Sequence, residues 1–347
     1  MLFAAGCSCG VVKDVEPTIQ FSADSLTTYF LEGTILPGSD SLGDHTVIAV
    51  TATHILVGDD KATRPIQLLN KTTGKWVASA GGRGEGPGDI NVRSVDFAGG
   101  LNSGWAYDGS SRSMIRLNID SLIHSPSLES AQRIRLEVGG FPTGPVGFGD
   151  GFVSTGYFFS GRLAFYAGDG SFQRSVGPTP PGPSRTPPPI RQQAFQAFVN
   201  AKPGAQKIAI VSRHTDRLEL YDGEELEHLV RGPDFFEPVY TVVMAGSPPS
   251  PAFVQPPEMR FGYGGITSTD RLVFALYSGR SMAEAPGYAN YGQYVIVFTW
   301  TGQPMAILDF DGDSFDIAVS PDGTELFAAF DTPVPAIVRY TLPPLID

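Results

Sequence analysis

The chain repeats one pattern, in which a short alternating segment is followed by a tight turn with glycine and a second alternating segment. Four complete copies begin at residues 67, 163, 218 and 295. Glycine in the turn permits the positive φ of a tight β-hairpin. Each copy therefore predicts a pair of adjacent antiparallel strands. The copies read QLLNKTTGKWVASA, LAFYAGDGSFQRSV, LELYDGEELEHLV and VIVFTWTGQPMAIL, with turns at Thr73-Gly74, Asp169-Gly170, Asp222-Gly223 and Thr301-Gly302.

The spacing of these hairpins predicts the architecture. A fifth copy, IRLNIDSL at 115 with QRIRLEV at 132, has a longer loop, and a sixth, AIVRYTL at 336, has only its first strand. Intervals of about 40 to 50 residues are typical of one four-stranded propeller blade. The sequence therefore predicts an all-β, six-bladed β-propeller of four-stranded antiparallel blades. One residue per copy, namely Asn70, Asn118, Tyr166, Tyr221, Phe298 and Tyr340, gives intervals of 48, 48, 55, 77 and 42.

The incomplete sixth hairpin predicts how the ring closes. Its missing outer strand can be supplied by PTIQFSADSLTTYFLEG at 17–33, which pairs the N- and C-terminal segments and removes an exposed sheet edge. Residues 17–347 are then a single propeller domain. Proline-rich inserts near 177–189 and 245–258 are expected to be extended loops on one rim, and the latter explains the interval of 77. A helical pattern appears in IRQQAFQAFVNAK at 190–202.

The segment GGRGEGPGDI at 81–90 invites comparison with phosphate-binding loops. A G-x-G-x-x-G loop fails here, because the sixth position is Asp89 when counted from Gly84 and Pro87 when counted from Gly82. No Lys-Ser or Lys-Thr follows, so a Walker loop also fails. The segment lies between the first hairpin and NVRSVDF, the expected inner strand of the second blade. We interpret Gly84, Gly86, Pro87, Gly88 and Asp89 as an inter-blade turn.

Charge and cysteine usage restrict the partners. With 24 Lys and Arg against 36 Asp and Glu, the net charge is −12, which repels nucleic acid. Both cysteines lie in MLFAAGCSCG at the N-terminus. Small residues at positions 4–6 before Cys7 resemble the end of a bacterial lipoprotein signal, although the basic segment and the 7 to 15 apolar residues of a whole signal do not fit upstream. We expect residues 1–16 to be a signal remnant and tether, lipidated at Cys7.

Two motifs carry a resemblance to a known family. GRGEGPGDI at 82–90 resembles the G-x-G-x-G-P-G-[ED] segment of six-bladed TolB-like and NHL-like propeller lipoproteins common in Bacteroidetes. SPDGTELFAAF at 320–330 resembles the S-P-D-G hairpin of TolB-type propellers, and Cys7 agrees with lipoprotein processing. The resemblance implies the propeller fold and a place in the bacterial cell envelope, periplasmic or at the outer membrane. It implies membrane contact through a lipid anchor only, and it implies no activity.

Motifs of catalysis are missing from the sequence. It contains neither H-E-x-x-H nor G-x-S-x-G, and its histidines are scattered. His214 and Asp216 are expected in a strand-end turn exposed to water. Asp309, Asp311, Asp313 and Asp316 depart from an EF-type calcium loop, since Phe315 occupies a ligand position and no terminal Glu follows. We expect an inter-blade turn with solvated carboxylates, and we assign no catalytic residue.

Candidate ligand contacts lie near the starts of the expected inner strands, which line the channel of a propeller. For each of them, hydrogen bonding between blades is the alternative. Two functions remain. One is a non-catalytic, lipid-anchored envelope module without a cofactor that binds an envelope protein or a small ligand at a propeller face. The other is a lactonase-like hydrolase with a divalent cation held in the channel by Asp96, Asp316 and Asn91. The candidate contacts are Arg93, Asp96, Tyr157, Arg260, Tyr263 and Asp316.

Overall fold

Short apolar segments separated by glycine and proline form the β-strands of the structure, a computed structural model. It describes residues 16–39, 42–43, 45–59, 61–97, 101–137, 139–158, 160–181, 186–331 and 334–345. Cys7 lies outside these residues. The described N-terminal segment forms three short strands joined by a 3-10 turn, Ala23–Ser25, between the first two. These strands are β1 (Ile19–Gln20), β2 (Thr27–Leu31) and β3 (Gly33–Ile35).

Three antiparallel blades follow along the chain, each ordered from an inner strand outward. In the third blade, a two-stranded ribbon is added to the four blade strands. The first blade contains β4 (His45–Val50), β5 (His54–Asp59), β6 (Ile66–Asn70) and β7 (Trp76–Ala80). The second contains β8 (Val92–Asp96), β9 (Ser103–Asp108), β10 (Ser113–Asn118), helix α1 (Ile119–His124) and β11 (Arg133–Arg135). The third contains β12 (Gly140–Pro142), β13 (Val146–Phe148), β14 (Gly151–Ser154), β15 (Gly156–Phe158), β16 (Leu163–Tyr166) and β17 (Phe172–Val176).

The remaining three blades complete the ring. The last two share one long strand, which is the outer strand of the fifth blade and continues as the inner strand of the sixth. The fourth blade follows helix α2 (Pro188–Ala194) and contains β18 (Ala197–Ala201), β19 (Lys207–Ser212), β20 (Arg217–Asp222) and β21 (Glu225–Arg231). A hairpin of β22 (Thr241–Ala245) and β23 (Ser250–Val254) precedes the fifth blade. The last strands are β24 (Tyr263–Ser268), β25 (Leu272–Tyr277), β26 (Gly292–Thr299), β27 (Pro304–Val319), β28 (Glu325–Phe330) and β29 (Ala336–Thr341).

The N-terminal segment closes the ring, as the sequence predicts. Strand β3 pairs with β29 in antiparallel register, with Gly33 opposite Tyr340 and Ile35 opposite Val338. The preceding residues extend the coverage, because β1 adds a parallel strand to β21 and β2 adds a parallel strand to β27. One continuous segment therefore lies on the outer edges of the last three blades.

The core is divided between neighbouring blades. Six clusters of buried apolar residues occupy the six junctions, and each takes side chains from both blades of its pair. At the junction of the last and first blades, Ile48 and Ile55 share a cluster with Phe327 and Ile337. Middle strands have both faces covered, which explains why β25, LVFALY, is buried along its whole length.

Two expectations about local structure are wrong. The predicted helix at 190–202 ends at Ala194, and residues 197–201 form the inner strand β18. Here Phe195, Ala197 and Val199 are buried and the residues between them are half-buried, which is the two-residue period of a strand. The insert at 245–258 is not an extended loop, because much of it belongs to the β22–β23 hairpin. Within the part of the chain that is described, no helix has the length and hydropathy needed to cross a bilayer.

Candidate functional site

The inner strands of all six blades surround a central channel of about 470 Å³. Strands β4, β8, β13, β18 and β24 and the second half of β27 each contribute to its wall. Apolar residues of these strands form part of the lining, and polar groups alternate with them. We call the end at which the inner strands begin the upper mouth. The polar side chains of the wall include Arg93, Ser94, Asp96, Asn200, Thr267, Ser268 and Asp316.

Asp96 lies at the end of β8 and reaches the neighbouring blade. Its Oδ2 accepts a hydrogen bond of 2.7 Å from the backbone N–H of Gly147 on β13. Glycine permits this approach, since a Cβ at position 147 would lie 3.1 Å from the same oxygen. Burial in the channel wall raises the pKa of Asp96 to about 6, against the opposing effect of the Gly147 hydrogen bond.

Asp316 has a similar position on the inner strand of the last blade. Its Oδ2 accepts from the backbone N–H of Ile48 at 2.8 Å, and its Oδ1 accepts from the N–H of Ile317 at 2.9 Å. A Cβ at Gly265 on the fifth blade would lie 3.1 Å from Oδ1. Burial raises the pKa of Asp316 to about 7, although both hydrogen bonds favour the charged form. Three blades thus meet at this carboxylate.

The candidate metal ligands do not form a cluster. Among the described residues, no group of three His, Cys, Asp or Glu side chains has an arrangement that could hold an ion. Asn91 precedes β8, and its backbone N–H donates to Asp108 Oδ1 at 3.2 Å. The donor set expected for a lactonase-like cation therefore lacks the convergence that such a site requires.

The other candidate contacts lie at different places. Arg93 is exposed on the channel wall near the start of β8. Tyr263 is buried between the fourth and fifth blades, where its hydroxyl donates to the carbonyl of Gly232 at 3.3 Å. Arg260 donates to the carbonyl of Gly279 and forms an ion pair of 2.9 Å with Glu284. Neither of these two residues is among those that line the channel.

Tyr157 is not on an inner strand, contrary to the expectation that placed it among the candidate channel contacts. Its strand β15 lies between the second and third strands of the third blade and pairs with β12, which precedes the inner strand of that blade. Tyr157 stacks on Phe141 with ring centroids 6.2 Å apart. The inner strand of that blade is β13, whose three residues are too short to give a clear sequence pattern.

Comparison with protein-family models places the architecture in a known group. The TolB-like 6-blade propeller model matches residues 48–322. The chain belongs to the TolB-like six-bladed propeller family. No curated protein matches it in sequence.

Solved structures similar to this TolB-like chain are propellers of low sequence identity. U3-55K is 10% identical with a TM-score of 0.51, covering 90% of this chain and 98% of that chain. Kuenenia stuttgartiensis hydrazine synthase is 11% identical with a TM-score of 0.48, covering 86% and 96%. The β-propeller domain of Cps50 (Swd1) from Myceliophteria thermophila is 9% identical with a TM-score of 0.48, covering 90% and 100%. At 10% identity the likeness to U3-55K shows the fold alone.

In this TolB-like propeller, the glycine segment at 81–90 wraps around one carboxylate. It connects β7 to β8, and Asp89 Oδ2 accepts from the N–H of Gly86 at 2.8 Å. Gly84 has a φ of +147°, and a Cβ there would lie 2.7 Å from Asp89 Oδ2. The glycines are required because the loop closes on its own acidic side chain.

The acidic run at 309–316 does not form a turn of solvated carboxylates in the TolB-like structure. Strand β27 passes through it without a break, with Asp309 opposite Tyr294 in the register. Asp313 forms an ion pair of 2.9 Å with Arg280, and Asp316 enters the channel wall. The run is divided between two blades, because Asp309 pairs within the fifth blade and Asp316 pairs within the sixth, which a count of acidic residues does not reveal.

His214 and Asp216 lie in a strand-end turn, but they are buried and not exposed to water. Asp216 accepts from the side chain of Arg231 at 3.0 Å and from the N–H of Asp234 at 3.1 Å. His214 stacks against Phe253. Burial, followed by the charge of Arg213, lowers the pKa of His214 to about 3, so the imidazole is neutral near neutral pH. The contacts of both residues are therefore with neighbouring parts of the fold.

Sequence reasoning missed Arg213, an arginine beside the upper mouth. Arg213 lies between β19 and β20, and its guanidinium is 5.5 Å from the centroid of Phe261. Its Nη1 is 3.5 Å from Oε1 of Gln196, a residue of the channel wall. Burial lowers the pKa of Arg213. Its position depends on contacts between distant residues, so no local motif indicates it.

Proposed function

We propose that this TolB-like propeller is a non-catalytic binding module of the bacterial cell envelope that holds a small polar ligand in its central channel. The observation that carries the proposal is the channel itself, which every blade lines and in which apolar walls carry a few fixed polar groups. Ligand sites in proteins have this composition, and they typically enclose about 300 to 1,000 Å³. The channel volume of about 470 Å³ suits a small organic molecule.

The channel carboxylates support binding of a ligand with hydrogen-bond donors. Asp96 and Asp316 are held in place by backbone N–H groups of neighbouring blades, so little conformational entropy is lost when they bind. An ionised carboxylate has roughly four acceptor positions, and these hydrogen bonds use only part of them. Hydroxyl or ammonium groups of a ligand would occupy the rest.

The proposal includes a lipid tether at Cys7 and an envelope location. The described chain meets the ring at the outer edge of the fourth blade, where β1 pairs with β21. A tether that joins there would leave the channel accessible. Labelling cells with an alkyne fatty acid tests this part. Incorporation into the protein but not into Cys7→Ser supports it, and equal labelling of the two overturns it.

A lactonase-like function is the weaker candidate. The pKa values of Asp96 and Asp316, about 6 and about 7, would suit acid-base chemistry near neutral pH. However, the described residues contain no group of three acidic, histidine or cysteine side chains that could hold a metal ion. The sequence also lacks the H-E-x-x-H and G-x-S-x-G motifs. Asp96 and Asp316 are separate from each other, and each accepts a hydrogen bond from a neighbouring blade. This arrangement favours binding over catalysis.

A channel-blocking variant tests the binding function. Gly144 lies on the wall, and a Cβ there would meet only Ser94, at 3.9 Å. Gly144→Phe should therefore fill the channel, whereas Gly144→Ala is the matched control. After incubation with a small-molecule extract of the native cells, native mass spectrometry should show the same adduct on wild type and Gly144→Ala and none on Gly144→Phe. An adduct on all three, or on none, contradicts the proposal.

A further inference from the structure

Arg213 has a cationic group that none of the described residues neutralises. The half-buried guanidinium has no carboxylate partner among the described residues, and its side-chain contacts are Gln196 and the face of Phe261. Other arginines of the described chain differ from Arg213 in this respect. Three other buried or half-buried arginines contact carboxylates directly: Arg162 contacts Glu219, Arg231 contacts Asp216, and Arg280 contacts Asp313.

The backbone around Arg213 holds it between the fourth and fifth blades. Its N–H donates to the carbonyl of Gln196 at 2.7 Å, and its carbonyl accepts from Gly262 at 2.7 Å. These two partners precede the inner strands β18 and β24, so Arg213 lies beside the upper mouth. Phe261 supports the guanidinium from one side. The side chain is therefore ordered before any ligand arrives.

Tyr157 adds a neutral donor to this position. Its strand β15 packs against helix α2, and the chain continues from that helix to Gln196, which accepts the backbone N–H of Arg213. In this arrangement Tyr157 and Arg213 each alter the pKa of the other. Burial raises the pKa of Tyr157, so its hydroxyl stays protonated. That hydroxyl has no hydrogen-bond partner within the described ranges. Its ring stacks on Phe141, which is half exposed and gives the position an apolar side.

We propose that Arg213 and Tyr157 bind the carboxylate of a small organic acid at the upper mouth. The inference rests on the proposed function and specifies its ligand class. A planar carboxylate accepts two parallel hydrogen bonds from a guanidinium, and the tyrosine hydroxyl supplies a third donor. Gln196 contacts both Arg213 and the channel, so a ligand anchored here extends toward Asp96 and Asp316. The apolar part of the acid packs on Phe141.

The overall charge makes this local cation necessary. The net charge of −12 repels anions, and the channel carboxylates do so as well once they are ionised. A partly desolvated guanidinium binds an anion more strongly than one in bulk water, because the effective dielectric constant around it is lower. An acid that enters at the upper mouth therefore binds with its carboxylate outward and its donor groups in the channel.

Paired probes test the inference on residues 16–347. Isothermal titration calorimetry with benzoate and succinate, each against its neutral amide, compares wild type with Arg213→Gln, Arg213→Lys and the control Arg260→Gln. The control removes a rim arginine that already has Glu284 as its partner. Wild type and the control should bind the acids and not the amides, and Arg213→Gln should weaken binding roughly 10-fold or more. Arg213→Lys should be intermediate, because it keeps the charge but loses the bidentate geometry.

Several results would overturn the inference. They are the absence of saturable acid binding at tens of millimolar, equal affinity for acids and amides, or equal affinity in wild type and Arg213→Gln. If Arg213→Gln unfolds, Tyr157→Phe provides the second test and should weaken acid binding roughly 3-fold, through loss of one neutral hydrogen bond. An adduct that is lost in Gly144→Phe but kept in Arg213→Gln would leave the binding function standing and reject the carboxylate site.

Discussion

Asp316 on the last blade accepts the backbone N–H of Ile48 on the first, with 2.8 Å between Oδ2 and the nitrogen. This hydrogen bond joins the two blades at the channel, while the pairing of β3 with β29 completes the last blade at the outside. The ring is therefore fastened at its inner and outer radius.

Removing the inner fastening should destabilise the ring. Asp316→Ala leaves the N–H of Ile48 without its partner, and we expect a loss of about 1 to 3 kcal/mol in the free energy of unfolding. Asp316→Asn keeps a carbonyl acceptor and should lose less. Urea denaturation followed by tryptophan fluorescence measures both. Equal stability of wild type and Asp316→Ala would show that the hydrogen bond contributes nothing.

The channel carboxylates predict a pH dependence of stability. In the folded state, the pKa values of Asp96 and Asp316 are about 6 and about 7, above the ordinary value of 3.8. At a pH above 3.8 and below the raised pKa, each carboxyl group is protonated in the folded protein and ionised in the unfolded one, so unfolding releases a proton. Stability contributed by these groups should therefore fall as pH rises from about 4 to about 7. The Asp96→Asn, Asp316→Asn double variant should flatten this slope in urea titrations, and an unchanged slope would assign it to other groups.

The glycine loop at 81–90 predicts that a side chain at Gly84 destabilises the fold because it crowds Asp89. Gly84→Ala adds a Cβ 2.7 Å from the Asp89 carboxylate at a φ of +147°, so we expect a loss of roughly 1 to 3 kcal/mol. Gly223→Ala is the matched control, because its φ is +57° and no atom lies within 4 Å of an added Cβ. The control should lose about 1 kcal/mol. Comparable losses in thermal unfolding would remove crowding by Asp89 as the reason for glycine at 84.

The N-terminal strands predict a length requirement for folding. A protein that begins at residue 36 lacks β1, β2 and β3, which leaves the edges of the last three blades unpaired. We expect it to aggregate, whereas residues 16–347 should elute as a defined species in size-exclusion chromatography. A stable, non-aggregating protein that begins at 36 would show that β3 is dispensable.

Metal binding separates the two functional candidates. We expect no calcium, magnesium or zinc in stoichiometric amount on residues 16–347, measured by elemental mass spectrometry after equilibrium dialysis. This follows from the dispersed carboxylates of the described residues. One tightly held ion per chain, lost in Asp96→Asn or Asp316→Asn, would favour the lactonase-like candidate.

The fold was predictable because hairpins are local. Their turns and alternation lie within about 15 neighbouring residues, and their spacing gives the blade count. The helix at 190–202 was wrongly predicted because Phe195, Phe198 and Val199 also fit a helical face, and burial against neighbouring blades decided between the two periods. Tertiary context overrides such weak local preferences.

The candidate site was only partly predictable. Position on an inner strand was enough to suggest Arg93, Asp96 and Asp316, which the structure places on the channel wall. Tyr263 and Arg260 lie at and just before the start of the inner strand β24, but Tyr263 contacts Gly232 and Arg260 pairs with Glu284. Arg213 could not be found, because its environment combines Gln196, Phe261 and Tyr157 from separate parts of the chain.

The pairing of Gly33 with Tyr340 also fixes an order of events in synthesis. These partners are separated by roughly 300 residues, so β3 cannot pair with β29 until nearly the whole chain exists. Until then β3 lacks its partner strand, and the nascent protein depends on whatever keeps it from aggregating. Slow and late closure is the kinetic consequence of a ring whose last blade is completed by an N-terminal strand.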